Sequence, residues 1–133
     1  MKNNFFIISL LILVLLSCNK QKAISNDIEK PVVTIVEPNS LDTITLSIDP
    51  ELHIEFTASD NIGLNTISVK LFDANSNLLF SADPSVNKLK VYPYHTHYIP
   101  SGIVSSTMMK IMIDAIDLAG NGLHKEISVV VKP

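Results

Sequence analysis

The sequence predicts an all-β fold, in which seven or eight short strands form two antiparallel sheets that pack as a sandwich. Three observations predict it. Between residues 31 and 133, apolar residues alternate with polar ones, β-branched residues are frequent, and clusters of Asp, Asn, Ser, Gly and Pro recur every eight to twelve residues. No part of that range carries a sustained 3.6-residue period, so helices are not predicted.

The first half of the predicted domain is divided by prolines and polar turns. Leu52, Ile54 and Phe56 alternate with polar residues, which is typical of a strand with one face in the core. Pro38 and Pro50 end the two segments before it, and Gly63 closes the turn after it. These signals predict strands at residues 32–36, 43–48, 52–58, 67–71 and 78–80.

The second half has longer alternating segments. Pro84 and Pro100 bound one of them, and residues 117–122, Asp-Leu-Ala-Gly-Asn-Gly, join the last two strands. This turn is rich in residues that tolerate positive φ, so a hairpin is predicted there. The remaining predicted strands are residues 89–99, 109–115 and 127–131.

The N-terminus has the pattern of an export signal. Residues 5–16 are apolar apart from Ser9, and twelve residues are too few for a membrane-spanning helix, which needs roughly 20. The segment ends in Leu15-Leu16-Ser17-Cys18, which resembles a bacterial lipobox. The resemblance implies that residues 1–17 are a signal peptide and that Cys18 carries a diacylglycerol and an acylated amine.

Lipidation at Cys18 makes the membrane the first expected partner. Each buried CH₂ adds about 0.8 kcal/mol of membrane affinity, so several acyl chains anchor a protein stably. Asn19 follows the cysteine where an inner-membrane retention signal has Asp, which favours the outer membrane of the cell envelope. Residues 18–30 are then a lipidated cysteine and a polar tether, and residues 31–133 are the folded domain.

Composition excludes several classes of protein. All ten basic residues are lysines, against thirteen acidic residues, and the net charge of −3 argues against nucleic-acid binding. A single cysteine excludes an internal disulfide and multi-cysteine metal sites. The chain has no G-x-S-x-G, no H-E-x-x-H and no phosphate-binding glycine loop, so we expect a protein that is not an enzyme.

Two motifs resemble those of bacterial Ig-like domains. They are Ser59-Asp60-Asn61-x-Gly63-Leu64 and Ile113-x-Ala115-x-Asp117-x-Ala119-Gly120-Asn121. With His95-Thr96-His97 and Ile99-Pro100, the layout of residues 31–133 resembles a family of single-domain, Ig-like cell-envelope lipoproteins. The resemblance implies an Ig-like sandwich, although the core Trp and paired Cys of immunoglobulins are lacking.

The Ig-like topology implies that both motif turns lie at one end of the sandwich, beside Glu29 and Lys30. Four oxygen-bearing residues then converge and form a candidate calcium site: Asp60, Asn61, Asp117 and Asn121. The alternative is local capping, in which these side chains accept hydrogen bonds from their own turns.

A second candidate site is made of histidines. His95 and His97 are two residues apart and therefore share one face of a strand. His53, on the neighbouring strand of the expected topology, would complete a three-imidazole site for Zn²⁺ or Cu²⁺. Pro93 can introduce a bulge, so the sequence does not decide which face the histidines occupy. The alternative is an ordinary surface histidine pair.

The other face of the same segment carries Tyr92, Tyr94 and Tyr98. As an exposed stripe, these rings would suit a sugar or a protein partner. If they face inward, they are core residues instead.

These observations predict a non-enzymatic, lipid-anchored binding or structural module of the cell envelope, with a protein or glycan partner and no obligatory cofactor. The alternatives are a protein that binds calcium or zinc at the sites above and an accessory glycan-binding subunit.

Overall fold

The computed structural model describes residues 26–133, which form eight strands and no α-helix. The strands are β1 (Val32–Glu37), β2 (Thr43–Thr45), β3 (Leu52–Ser59), β4 (Leu64–Phe72), β5 (Leu78–Ala82), β6 (Val91–Tyr98), β7 (Thr107–Asp117) and β8 (Gly122–Lys132). The predicted all-β class and the predicted number of strands are confirmed.

The strands form two sheets that enclose one core. The three-stranded sheet has the order β1-β3-β6, and the five-stranded sheet has the order β2-β8-β7-β4-β5. In β3, every second residue from Leu52 to Ala58 is buried, and in β7 the same holds from Met109 to Asp117. Because each sheet contributes its alternate side chains to the same core, the fold is a β-sandwich.

One edge departs from the predicted antiparallel arrangement. β2 pairs with β8 in parallel, with Ile44 opposite Val131. The Leu41 amide donates to the Ser128 carbonyl (2.7 Å), and the Val130 amide donates to the Asp42 carbonyl (2.9 Å), which seats the segment before β2 along β8. Since most of the chain separates the two strands, no tight turn forces them to be antiparallel. The prediction of a wholly antiparallel sandwich is therefore wrong at this edge.

The core is built from aliphatic residues and one phenylalanine. Its buried hydrophobic members are Val33, Leu52, Ile54, Phe56, Ala58, Leu64, Ile67, Val69, Leu71, Val86, Met109, Ile111, Ile113, Ala115, Ile127, Val129 and Val131. Burial of each Leu- or Ile-sized side chain contributes about 1.5–3 kcal/mol. A fragment that begins at Asn19 keeps all of these residues and so retains the whole described core.

Several strand boundaries differ from the predicted ones. The second strand ends at Thr45, where the chain turns. The Thr45 carbonyl accepts hydrogen bonds from the amides of Ile48 and Asp49 (2.9 Å each), which stabilise the turn. β7 and β8 are longer than predicted, because their pairing continues beyond the apolar positions to Ile116 opposite Gly122.

Candidate functional site

The turn that follows β3 holds an acidic side chain in the interior. Asp60 exposes 9% of its surface, and its Oδ1 accepts hydrogen bonds from the amides of Ile62 (2.9 Å) and Gly63 (2.6 Å). Gly63 has a φ of +153°, and a Cβ at this position would lie 2.9 Å from the Lys88 carbonyl oxygen. The turn therefore requires glycine at residue 63.

The turn between β7 and β8 holds a second acidic side chain, Asp117, which is fully buried. Its Oδ1 accepts hydrogen bonds from the amides of Ala119 and Asn121 (2.8 Å each), and its Oδ2 accepts one from Nδ2 of Asn121 (2.7 Å). Burial acts to raise the pKa of Asp117, but these hydrogen bonds outweigh it and hold the pKa below the ordinary value. Asp117 is therefore a carboxylate at neutral pH.

Hydrogen bonds join the two turns to each other and to the start of the described chain. The Leu118 amide donates to the Gly63 carbonyl (2.9 Å), which joins the turns. Asn61 donates from Nδ2 to Oδ1 of Asp27 (3.2 Å), and Asn121 donates from Nδ2 to the Asp27 carbonyl (3.1 Å). The last part of the predicted tether is thus bound to the domain.

These contacts bring three carboxylates together. One oxygen from each of Asp27, Asp60 and Asp117 lies within 4.8 Å of the other two, and we call these residues the acidic cluster. Asp60 and Asp117 were predicted to converge, whereas Asp27 was missed and the predicted neighbours Glu29 and Lys30 are exposed. The only sequence signal for Asp27 is an acidic residue just before the first strand, at the end where both acidic turns were expected.

Two oxygens of the acidic cluster have no hydrogen-bond partner. Oδ2 of Asp27 and Oδ2 of Asp60 are buried without one. Among residues 26–133, no lysine or histidine forms an ion pair with any of the three carboxylates. Burying a charged group without a partner is costly. Local capping therefore accounts for Asp117 and for Oδ1 of Asp60, but not for these two oxygens.

The acidic cluster has the chemistry of a calcium site. Ca²⁺ takes oxygen ligands at about 2.3–2.6 Å, so two oxygens on one ion lie at most about 5 Å apart, and the cluster meets this limit. Asn61 and Asn121, which were predicted as further ligands, instead donate hydrogen bonds that position Asp27 and Asp117. Water would supply the remaining coordination positions.

A second group of side chains lies on the outer face of the three-stranded sheet. His53 on β3 pairs directly with His97 on β6, and His95 follows on the same face. Ring centroids lie 4.3 Å apart for His53 and His97, and 4.4 Å apart for His95 and His97. One nitrogen from each ring lies within 4.8 Å of the others, and we call these three residues the histidine cluster.

The tyrosines of β6 face the other way. The register between β3 and β6 runs without a break past Pro93, so the histidines point outward and the tyrosines point inward. Tyr92, Tyr94 and Tyr98 are half-buried against the core, and the Tyr94 ring stacks on Phe56 with centroids 5.0 Å apart. They do not form the exposed aromatic stripe that a sugar would need, and the core alternative describes them.

The fourth histidine belongs to neither cluster. His124 lies on β8, where Nδ1 is 2.6 Å from Oδ1 of Asp114 and Nε2 is 3.3 Å from Oε1 of Glu126. The hydrogen bond with Asp114, and then that with Glu126, raises the pKa of His124 above its ordinary value.

Cys18 and the predicted signal peptide, residues 1–17, lie outside the described residues, so lipidation stays a prediction. Among residues 26–133, no helix has the length and apolar character that crossing a bilayer requires.

Comparisons with known proteins bear on the fold alone. No protein-family model and no curated protein matches the chain. An engineered protein of known structure is similar over 77% of this chain, at 14% identity and a TM-score of 0.52, and this chain spans only 20% of its length.

Two weaker structural similarities were also found. One is to a Niemann-Pick type C2 protein from the Japanese carpenter ant, at 10% identity and a TM-score of 0.44, covering 80% of this chain and 94% of that one. The other is to a CARDB domain from Pyrococcus furiosus, solved in complex with di-metal ions, at 16% identity and a TM-score of 0.43, covering 77% and 96%. Neither similarity carries a functional argument.

Proposed function

We propose that this protein is a non-enzymatic, lipid-anchored Ig-like module of the bacterial cell envelope, and that a calcium ion in the acidic cluster fixes the module to the end of its tether. One observation carries the calcium part. Asp27 and Asp60 each have a buried carboxylate oxygen without a hydrogen-bond partner, beside the ionised Asp117. A divalent cation neutralises this charge with the ligands that Ca²⁺ prefers.

The strand order supports the Ig-like part of the proposal. Sheets of order β1-β3-β6 and β2-β8-β7-β4-β5 place the first, third and sixth strands opposite the rest. The two motifs that resemble bacterial Ig-like domains occupy the turn after β3 and the turn between β7 and β8, which meet at one end.

The position of the acidic cluster supports a role in displaying the module. Asp27 lies nine residues after Cys18, so a lipid at Cys18 would stay within about 32 Å of the cluster. An ion that binds Asp27 together with Asp60 and Asp117 would shorten the free tether and set the angle at which the module leaves the membrane. Its protein or glycan partner would then meet a sandwich of defined orientation.

The expected affinity agrees with a location outside the cytoplasm. Calcium sites of extracellular modules have dissociation constants of about 10⁻⁴–10⁻³ M. The acidic cluster offers three protein carboxylates and leaves the other positions to water, which is typical of a weak site. Such a site fills where calcium is abundant, as outside the inner membrane.

The calcium part is tested by thermal unfolding of residues 19–133, the segment that retains the whole described core. At a calcium concentration ten times Kd, the native state gains about 1.4 kcal/mol, which raises Tm by roughly 6 °C relative to EDTA. Magnesium should give a much smaller rise, because it demands closer octahedral ligands and keeps its waters.

Two matched variants decide whether the acidic cluster is responsible. Asp60→Asn keeps an oxygen for the Ile62 and Gly63 amides but removes the charge, so the calcium-induced rise should vanish. In EDTA, this variant should be at least as stable as the parent, because one of the crowded charges is gone. Asp73→Asn, in a similar but partly exposed turn, should keep the full calcium response. An unchanged response in Asp60→Asn would refute the proposal.

The anchor is tested on the full chain expressed in a Gram-negative host. The mature protein should fractionate with membranes, and its N-terminal peptide should have the mass of an acylated cysteine. Cys18→Ala should release the protein from the membrane fraction. A parent protein without a fatty acid would refute this part and leave the calcium part standing.

A further inference from the structure

The histidine cluster lies far from the acidic cluster. His53 is near the start of β3, and Asp60 follows its last residue. Seven residues of extended strand separate them, a distance of about 23 Å at 3.3 Å per residue. Binding at one cluster therefore need not depend on binding at the other.

The sheet itself assembles the histidine cluster. His53 and His97 are directly opposite in antiparallel strands, and Glu55 is opposite His95. This places three imidazoles on one face with their nitrogens already within 4.8 Å of one another. Since the rings are exposed or half-exposed, small rotations of the side chains can bring the nitrogens to the closer spacing of a single ion.

Neighbouring carboxylates orient the rings without occupying every nitrogen. Oε2 of Glu51 lies 2.8 Å from Nδ1 of His97, which fixes that ring and leaves Nε2 as its ligand atom. The two nitrogens of His53 lie 3.6 Å from Oε1 of Glu37 and 3.7 Å from Oδ2 of Asp49. Both distances exceed a hydrogen bond, so the His53 nitrogens can coordinate.

The charge around the histidines favours a cation. Four carboxylates border the cluster: Glu37, Asp49, Glu51 and Glu55. Glu37 is directly opposite Glu55, a like-charge pair that destabilises a sheet. No lysine among residues 26–133 forms an ion pair with any of the four. A metal ion on the imidazoles would relieve this repulsion.

We infer that the histidine cluster binds Zn²⁺ or Cu²⁺ through the imidazole nitrogens of His53, His95 and His97. Imidazole suits these borderline ions, whereas Ca²⁺ and Mg²⁺ select oxygen. Glu37 and Glu55 lie within the same reach of His95 and supply a neighbouring carboxylate. Because the cluster is open to solvent, one coordination position stays available for water or an external ligand.

Calorimetric titration of the untagged, metal-free segment 19–133 tests the inference. Zn²⁺ or Cu²⁺ should bind with one equivalent, and His95→Gln should weaken that binding by more than about 100-fold, because it removes a direct ligand. His124→Gln is the matched control, since His124 also lies between two carboxylates but has no second imidazole nearby. It should leave the affinity unchanged.

Electron paramagnetic resonance of the Cu²⁺ form counts the ligands. The parent should show three coordinating nitrogens, and His97→Gln should show two. Glu51→Gln should keep all three but weaken binding by about 10- to 100-fold, as expected for a residue that positions His97. Tm in EDTA confirms that each variant folds.

The outcomes separate this inference from the calcium proposal. Asp60→Asn should retain Zn²⁺ and Cu²⁺ binding in full, so either site can fail alone. Binding of only one of the two metals would support the inference and identify the ion. The inference is overturned if neither metal binds with one equivalent, if His95→Gln keeps the affinity of the parent, or if His124→Gln loses it.

Discussion

Two turns of this protein have the same local hydrogen bonds and very different surroundings. In residues 73–77, Oδ1 of Asp73 accepts the amides of Asn75 and Asn77 (2.8 Å each), and Oδ2 accepts Nδ2 of Asn77 (2.8 Å). In residues 117–121, Asp117 and Asn121 repeat this pattern. Asp73 is partly exposed, whereas Asp117 is fully buried and faces two further carboxylates.

The pKa values of the two aspartates show what the surroundings change. Hydrogen bonds from Asn77 dominate at Asp73 and lower its pKa. At Asp117, burial is the largest influence and raises the pKa, and the hydrogen bonds must overcome it. The same motif is therefore a solvated turn in one place and a buried charge in the other. Only the second one has the chemistry of a cation site.

Asp117→Ala should lower the free energy of unfolding more than any other change considered below. It removes a fully buried carboxylate and leaves the part-buried amides of Ala119 and Asn121 without their acceptor, which should cost about 3 kcal/mol of unfolding free energy. Asp73→Ala should cost much less, because water replaces the carboxylate. Urea unfolding in EDTA measures both. Equal losses would mean that burial does not distinguish the two turns.

Gly63→Ala should have the next largest effect. A Cβ at residue 63 would lie 2.9 Å from the Lys88 carbonyl oxygen, and the backbone φ there is +153°. We therefore expect the free energy of unfolding to fall by about 2 kcal/mol. Gly102→Ala is the matched control, since its φ is +72° but nothing lies within 4 Å, and it should cost about 1 kcal/mol. Thermal unfolding of both variants should also show a weakened calcium response in Gly63→Ala alone.

Asn121→Ala should lower the free energy of unfolding by about 1 kcal/mol. It removes the donors to Oδ2 of Asp117 and to the Asp27 carbonyl, so the tether end should also detach. Asn77→Ala, in the other turn, loses only its bond to Asp73. Limited proteolysis should cut residues 20–30 faster in Asn121→Ala than in Asn77→Ala. Identical cleavage rates would show that Asn121 does not hold the tether.

The smallest effect on stability is expected at His124. The carboxylates beside it have a protonatable partner, whereas those of the acidic cluster do not. Because its folded pKa is raised, the stabilisation is fully present below the unfolded value near 6.5 and is lost as pH rises through the folded pKa. The Tm of the parent should exceed that of His124→Gln at pH 5.5, and the two values should be equal at alkaline pH. A difference that grows with pH would contradict this assignment, and NMR titration of the ring gives the pKa directly.

Much of the fold could be predicted because period-two alternation and turn residues are local signals. Leu52, Ile54 and Phe56 are buried as their alternation predicts. Asp60 and Asp117 meet as the resemblance of their turns to those of Ig-like domains implied. The parallel pairing of β2 with β8 could not be predicted, because it depends on contacts between segments that most of the chain separates. Asp27 was missed because its flanking residues have no periodicity and its contacts are with turns distant in the sequence.

The histidine cluster, too, could be predicted in part from local sequence and in part only from the tertiary structure. The spacing of His95 and His97 places them on one face of a strand, but the sequence left open which face it was. The uninterrupted register of β3 with β6 decided that the histidines face outward and that the tyrosines pack against the core.

The all-β class, the turn positions and the candidate residues Asp60, Asp117, His53, His95 and His97 could be predicted without a structure, because short-range periodicity and turn chemistry depend on neighbouring residues alone. Packing of distant segments brings Asp27 into the acidic cluster and leaves two of the carboxylate oxygens of the cluster buried without partners. Burial and convergence depend on which segments pack together, and that outcome is set by the free energy of the whole sandwich.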